Sequence, residues 1–408
     1  MNIAACRSCG SPLQDTFANL GMAPLANALV APGNAGLMEP FYPLRVFVCG
    51  QCFLVQVDAS IAPELIFTNY LYFSSVSSTW LDHCAEYVEQ IVPRLGLGPH
   101  SYVVEVASND GHLLKEFQKK SIPVLGVEPA VNVARVAVDD GVPTNVAFFG
   151  RAVAERMRGE RMADLIVANN VLAHVPDVND FVAGLWALLR PGGTLTVEFP
   201  HLLQLMKYRQ FDTIYHEHVL YLSLLAVEKV FARHGLAVFD VETTAVHGGS
   251  LRLFAAHDWE SREEMEGLRT VRSAEAAAGL DRLETYRRFA ADVVAAKCDL
   301  LEFFVQAARL GKRVVGYSAA AKGISLLNYC GIGPDFIDYV VDRSPHKQGM
   351  LLPGSHLPIY APERVMETKP DYLILLAWNL RTEVMQQMSG IRQWGGRFVS
   401  PIPKVEII

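Results

Sequence analysis

The chain has 408 residues, too many for one hydrophobic core, so two or three domains are expected. Its composition, 51% hydrophobic and 19% charged, is that of a globular protein, and no run of 18 apolar residues offers a helical membrane span. The net charge of −7 and the lack of a basic run argue against nucleic acid as a partner, and the first residues lack the charged-then-apolar order of a signal peptide, so a cytoplasmic protein is expected.

Residues 1–65 are expected to form a zinc-binding module. Four of the seven cysteines stand in two C-x-x-C pairs, Cys6 with Cys9 and Cys49 with Cys52. Two such knuckles in a reducing compartment fit a tetrahedral four-thiolate zinc site, with disulfides or a redox pair as the competing readings. Four thiolates leave no open position, so the metal should be structural. A segment this short needs such a staple to stand. Between the pairs lie a turn-rich loop over 20–27 and a strand over 42–48. The single Cys84, Cys298 and Cys330 read as small buried hydrophobes. The aromatic and hydroxyl-rich run 69–80 is a candidate lid carrying Tyr70 and Tyr72, and a helix should follow from about Leu81 to Leu95.

Residues 66–258 read as a Rossmann-like unit. A buried strand over 102–107 breaks into Ser108-Asn109-Asp110-Gly111, and a helix runs from His112 to Lys119. Further strands end in Glu128 and in Asn169-Asn170, and Pro191-Gly192-Gly193 reads as a turn into another. Strands alternating with helices imply a doubly wound parallel sheet whose ligand crosses the carboxyl ends of the strands. The first turn has one glycine where a nicotinamide domain wants G-x-G-x-x-G. Asp110 there would repel a pyrophosphate but suits a cationic, zwitterionic ligand, and Glu128 is placed to accept both hydroxyls of a ribose.

Five side chains that can move or orient protons then fall within seven positions: Tyr215, His216, Glu217, His218 and Tyr221. His is the side chain whose ordinary pKa suits acid/base work near neutrality. The spacing is not H-E-x-x-H, so a zinc protease is not indicated. His216 and His218 would share a face in a strand and are free of that constraint in a loop. His247-Gly248-Gly249 reads as a tight turn into a strand.

Residues 259–408 are expected to form a second Rossmann-like unit after one or two long helices over 260–310. Strands are predicted over 312–317, 336–342 and 372–379. A small-residue turn from Ser318 to Gly323 could hold a phosphate at a helix N-terminus, with Lys347 adding positive charge.

The four-cysteine module together with E-V-A-S-N-D-G, N-N-V-L-A-H-V-P-D and Y-H-E-H-x-x-Y-L-S resembles the S-adenosylmethionine-dependent nucleotide-sugar C-methyltransferases. That resemblance spans the chain and implies a methyltransferase moving the methyl of S-adenosylmethionine to a sugar carbon, usually C3, next to a ketone in a nucleotide-linked 4-keto-deoxysugar. It implies a cofactor site from Glu105, Ser108, Asn109, Asp110, Gly111, Glu128, Pro129, Phe148, Asn169 and Asn170, with Phe149 the alternative aromatic. It implies His218 as the base that makes an enolate, Tyr215 as donor or relay, Glu217 as orienting group, His216 as alternative base, His174 in support, and Tyr70 on the lid. Tyr72, Tyr221, Ser318, Lys322, Lys347 and Asn379 are expected to touch substrate. The cofactors implied are S-adenosylmethionine and structural zinc; the partner is the keto-sugar substrate alone, acting on a monomer. Two other readings remain open: an NAD-dependent nucleotide-sugar oxidoreductase or epimerase, and a zinc-module nucleic-acid-binding methyltransferase.

Overall fold

The computed structural model describes residues 4–58, 61–67, 73–76 and 78–408. After the first cysteine pair, strands β1 (Asp15–Ala23), β2 (Tyr42–Val48) and β3 (Val55–Val57) form an antiparallel sheet. Along β2 the residues Leu44, Val46 and Val48 point inward and Arg45 outward, the alternation of a sheet with one wet face. Leu20–Ala23, expected in a loop, is the end of β1. Gly21 takes φ 75° there, beside a register shift between Asn19 and Met22, so the turn-forming composition makes a bulge.

A large sheet follows. Its strands β4 (Val103–Val106), β5 (Val124–Val127), β6 (Thr144–Asn145), β7 (Ala163–Asn169) and β8 (Leu189–Pro200) pair in parallel in the spatial order β6-β5-β4-β7-β8. Counted from its first strand this is the 3-2-1-4-5 order of a doubly wound sheet, reversing between β4 and β7. Every position of β4 is buried, as a strand covered on both faces requires. Pro191-Gly192-Gly193, expected as a turn, is absorbed into β8, where Gly192 has φ 75°.

The chain then makes β9 (Leu220–Tyr221), which leaves this sheet and pairs with β3, so the first sheet has the order β1-β2-β3-β9. β10 (Leu236–Thr244) and β11 (Ser250–His257) finish the large sheet, with β11 antiparallel between β8 and β10. The sheet is therefore mixed rather than wholly parallel.

Two helices, Glu266–Ala278 and Leu283–Arg309, lead to the last sheet. There β12 (Val314–Tyr317), β13 (Val340–Val341), β14 (Ile359–Tyr360), β15 (Tyr372–Leu375) and β16 (Arg397–Ser400) are parallel, and β17 (Glu406–Ile407) is antiparallel at one edge. The order β14-β13-β12-β15-β16 is again 3-2-1-4-5. The strand expected over 336–342 shortens to Val340–Val341 because the Gly333 carbonyl accepts from both Phe336 and Ile337 N–H and turns the chain. The long helix also covers the first sheet: Phe289 stacks on Phe17 at 4.5 Å. Among the described residues no helix is long and apolar enough to cross a membrane.

Candidate active site

β4 ends where the strand order reverses, the place such sheets present to a ligand. Beyond it Ala107, Asn109 and Gly111 take left-handed conformations, and the helix His112–Lys119 begins. Gly111 is required there: a Cβ would stand 3.0 Å from Ala137 Cβ and from Val142 Cγ2. Glu128, just past β5, accepts from the backbone N–H of Asn109 (2.9 Å) with one oxygen and of Ala130 (2.8 Å) with the other, which fixes the turn. Ser74 N–H donates to Asn109 Oδ1 (2.9 Å) and Ser75 N–H to Asp110 Oδ2 (3.0 Å), so the segment 73–76 lies over the turn.

Glu105, Ser108, Asp110 and Glu128 are all buried. Burial pushes the carboxyls of Glu105 and Glu128 upward, and the neighbouring Asp110 pushes each the same way. Glu105 Oε2, Ser108 Oγ, Asp110 Oδ1, Asn169 Oδ1 and Asn170 Oδ1 are buried and find no hydrogen-bond partner among the described residues. Buried acceptors left open around the ends of the neighbouring strands β4 and β7 call for a ligand rich in donors and positive charge. A zwitterionic sulfonium nucleoside has both, in its ammonium, its sulfonium and its ribose hydroxyls. Pro129 follows Glu128 into the helix Val131–Asp139. Of the two phenylalanines, Phe149 packs edge-on against Phe181 (5.4 Å) in the core and Phe148 is exposed, so Phe148 is the one left to meet a ligand.

The histidine stretch lies in a loop before β9, not in a strand, and its two histidines diverge. His218 Nδ1 faces the Thr213 carbonyl (2.9 Å), and its Nε2 faces the Tyr215 hydroxyl (2.9 Å). A carbonyl can only accept, so Nδ1 carries the proton and Nε2 presents its lone pair to the Tyr215 O–H. Burial first, and then His174, hold His218 well below the ordinary histidine range, so it is a neutral base at physiological pH. The His174 ring meets His218 edge-on at 4.8 Å, and its Nδ1 donates to the Glu217 carbonyl (2.9 Å). Burial lowers His174 to about 4.

Glu217 is buried, and its Oε1 accepts from Asn27 Nδ2 (2.6 Å). Burial raises its carboxyl to about 7, against the pull of Asn27 and Lys347. His216, the alternative base, turns away from this cluster: Nε2 meets the Pro43 carbonyl (3.2 Å) and the ring lies against Tyr42. It fastens the loop to the first sheet. Tyr221 is buried in β9, and burial pushes its phenol well above the tyrosine range. Tyr70 and Tyr72 lie outside the described residues.

The last sheet reaches this site through Lys322. Burial lowers the Lys322 ammonium and the Asp212 carboxylate opposes that shift. Lys322 Nζ lies 4.8 Å over the Trp378 ring and 3.4 Å from Asn379 Oδ1. Trp378 Nε1 donates to Asp212 Oδ2 (2.6 Å), whose carboxyl burial raises to about 6. Ser318 sits at φ 83° just past β12, and Lys347 Nζ donates to the Ala319 carbonyl (2.8 Å). Sequence reasoning assigned no role to Asp212, Trp378 or Asn27. Asp212 stands in the quoted stretch and Trp378 beside Asn379, whereas nothing in the sequence joins Asn27 to a residue 190 positions away.

The Sγ atoms of Cys6, Cys9, Cys49 and Cys52 all lie within 4.8 Å of one another, and none forms a disulfide; of the single cysteines Cys84 and Cys330 are buried, whereas Cys298, expected inside, is exposed on the helix Leu283–Arg309. A tetrahedron with Zn–S bonds of about 2.3 Å has edges of about 3.8 Å, so the set fits zinc. Gln56 Nε2 and Gln51 N–H point at Cys6 and Cys49 Sγ (3.2 and 3.4 Å) as thiolate donors. Among the described residues no other group of three or more such ligands is close enough to hold a metal.

A doubly wound sheet with buried carboxyls and open acceptors past its first strand is the arrangement of an S-adenosylmethionine-dependent methyltransferase domain. Three family models divide the chain: a zinc binding domain over residues 6–67, a methyltransferase domain over 80–241 and a C-methyltransferase C-terminal domain over 245–403. The chain is 37% identical over 407 residues to C-methyltransferase NovU of Streptomyces niveus, covering 100% of this chain and 97% of that one. It belongs to this C-methyltransferase family: it moves a methyl group from S-adenosylmethionine to carbon and carries a zinc-binding module. Solved structures overlap a smaller part. They include an S-adenosylmethionine-dependent methyltransferase of Clostridium acetobutylicum (8% identity, TM-score 0.35, 43% of this chain and 92% of that one). Another is the magnesium protoporphyrin IX methyltransferase of Synechocystis (14%, 0.33, 42% and 83%).

Proposed function

We propose that the acceptor is a carbon next to a ketone, C3 of a nucleotide-linked 4-keto-deoxysugar, and that the nucleophile is an enolate made in the site. A C–H carbon is not nucleophilic, so a base must take the proton alpha to the ketone and a donor must stabilise the oxygen that becomes anionic. S-adenosylmethionine, held by Glu105, Ser108, Asp110, Glu128 and the 169–170 asparagines, supplies an electrophilic methyl group. The observation that carries the reading is the state of His218: neutral, its Nδ1–H tied to Thr213, its Nε2 lone pair turned toward Tyr215.

On this reading His218 takes the C3 proton while Tyr215 donates or relays. His174 packs against the base and keeps water out, and Glu217 orients the loop through its carbonyl. The nucleotide is held by the last sheet, where Ser318, Lys322, Lys347 and Asn379 surround the first turn. Neither sheet has a G-x-G-x-x-G turn, which speaks against a nicotinamide enzyme.

The test is transfer by His218→Ala with a thymidine diphosphate-linked 4-keto-2,6-dideoxysugar. Transfer should fall by roughly 100- to 10,000-fold, the span of a lost general base, while S-adenosylmethionine binding by calorimetry stays at the wild-type value. A variant that methylates at near-normal rate, or that loses the cofactor, removes His218 as the base.

A further inference from the structure

Several contacts attach the cysteine module to the catalytic loop, and three of them bear on the histidine stretch. β3 pairs with β9, so Val55 sits opposite Tyr221 and the sheet continues directly out of the histidine stretch. The Pro43 carbonyl meets His216. Asn27, on the turn after β1, donates to Glu217. The first two contacts hold backbone and a packing residue. The third reaches a carboxyl group that is buried and lies between His216 and His218.

Glu217 is faced from four directions. Asn27 comes from the cysteine module and Lys347 from the last sheet. His174, beyond β7, bonds its carbonyl. His216 and His218 flank it in its own loop. Of these, Asn27 and Lys347 favour the ionised carboxylate, and Asn27 is the one in hydrogen-bond contact with it. An ionised, anchored Glu217 keeps the carbonyl that orients His174 in place, and His174 packs on His218.

We infer that Asn27 is a positioning residue for methyl transfer, and that the cysteine module serves the reaction by delivering this amide to Glu217. The inference rests on Glu217 taking part in the transfer. Without the amide, burial acts on Glu217 with only Lys347 opposing it, so the carboxyl protonates at a higher pH and the loop loses its anchor. Asn27→Asp keeps the shape of the side chain, removes the donor and adds a like charge, so it should shift Glu217 further than Asn27→Ala does.

The experiment uses the zinc-loaded full chain with ¹³C-labelled glutamate, following the Glu217 carboxyl by NMR against pH and the pH profile of kcat with the keto-sugar above. In wild type, kcat should rise with pH through about 7 as Glu217 ionises. Asn27→Ala should move both the carboxyl titration and that limb to higher pH, and Asn27→Asp should move them further. At pH 7 the Ala variant should lose about tenfold in kcat, the scale of one hydrogen bond to a charged group, with KM for S-adenosylmethionine unchanged. Asn27→Gln, which keeps an amide donor, should recover part of the loss. If the Ala variant does not fold, the near-isosteric Asp variant decides. A carboxyl titration that stays at the wild-type position overturns the link between Asn27 and Glu217. A titration that moves while the kcat limb stays overturns the part given to Glu217 in the transfer, and the inference with it.

Discussion

The large sheet and the last sheet are built alike and charged oppositely. Both have the parallel order 3-2-1-4-5 extended at the far side, by the antiparallel β11 and then β10 in the large sheet and by the antiparallel β17 in the last. In both, an acid just past the second strand clamps the turn past the first. Glu128 accepts from Asn109 and Ala130 N–H; Asp342 accepts from Ala319 and Ser344 N–H, each at 2.8 Å. Around the first turn stand Glu105, Asp110 and buried acceptors without partners among the described residues. Around the second stand Lys322 and Lys347, with Asn379 beside them. On the proposed reading one scaffold serves two ligands of opposite sign, and the side chains at the turn, not the strand order, choose between them. The histidine loop adjoins the second turn: His218 sits within electrostatic reach of Lys322, and Asp212 accepts from Trp378 Nε1.

Charge changes at the two turns test that division. The largest effect is expected from Asp110→Lys, which puts a cation where a cationic ligand belongs. It should weaken S-adenosylmethionine by on the order of a hundredfold or more in calorimetry, as a close pair of like charges does at a partly screened site, and leave thymidine diphosphate binding unchanged. Lys322→Met, similar in length and apolar, should weaken thymidine diphosphate by about tenfold, since one charged hydrogen-bonding partner is lost, and leave S-adenosylmethionine unchanged. If either variant loses both ligands equally, the crevices are not independent and the comparison fails. The smallest effect belongs to Ser318→Gly, which relieves a left-handed backbone (φ 83°) and should stabilise the chain by about 1 kcal/mol in urea unfolding.

Much of this architecture was legible because it is local. The strand–turn–helix at 103–119, the cysteine pairs and the acid after β5 are short patterns whose chemistry is set within a few residues. The Pro191-Gly192-Gly193 segment falls in the register shift of β8 against β7, between the pairs Ala163–Leu189 and Leu165–Thr194, so its turn-forming residues make an irregularity inside a strand rather than a connection before one. The strand around 340 was overread because the Gly333 turn consumes its first half. At the site, the pairing of Tyr215 with His218 is a spacing of three and could be anticipated. The divergence of His216 could not, because it depends on Pro43 and Tyr42 from another sheet. Asn27 and Trp378 were beyond reach for the same reason: each meets the catalytic loop from a distant part of the chain.

The central claim is that this chain makes its own carbon nucleophile before the methyl group moves. It is tested most directly by incubating the enzyme in heavy water with the thymidine diphosphate-linked 4-keto-2,6-dideoxysugar and S-adenosylhomocysteine, which has no methyl to give, and following the C3 proton by NMR. Wild type should exchange that proton for deuterium and His218→Ala should not. Exchange that continues at the wild-type rate in His218→Ala, or is absent from wild type while methyl transfer proceeds, would contradict the account.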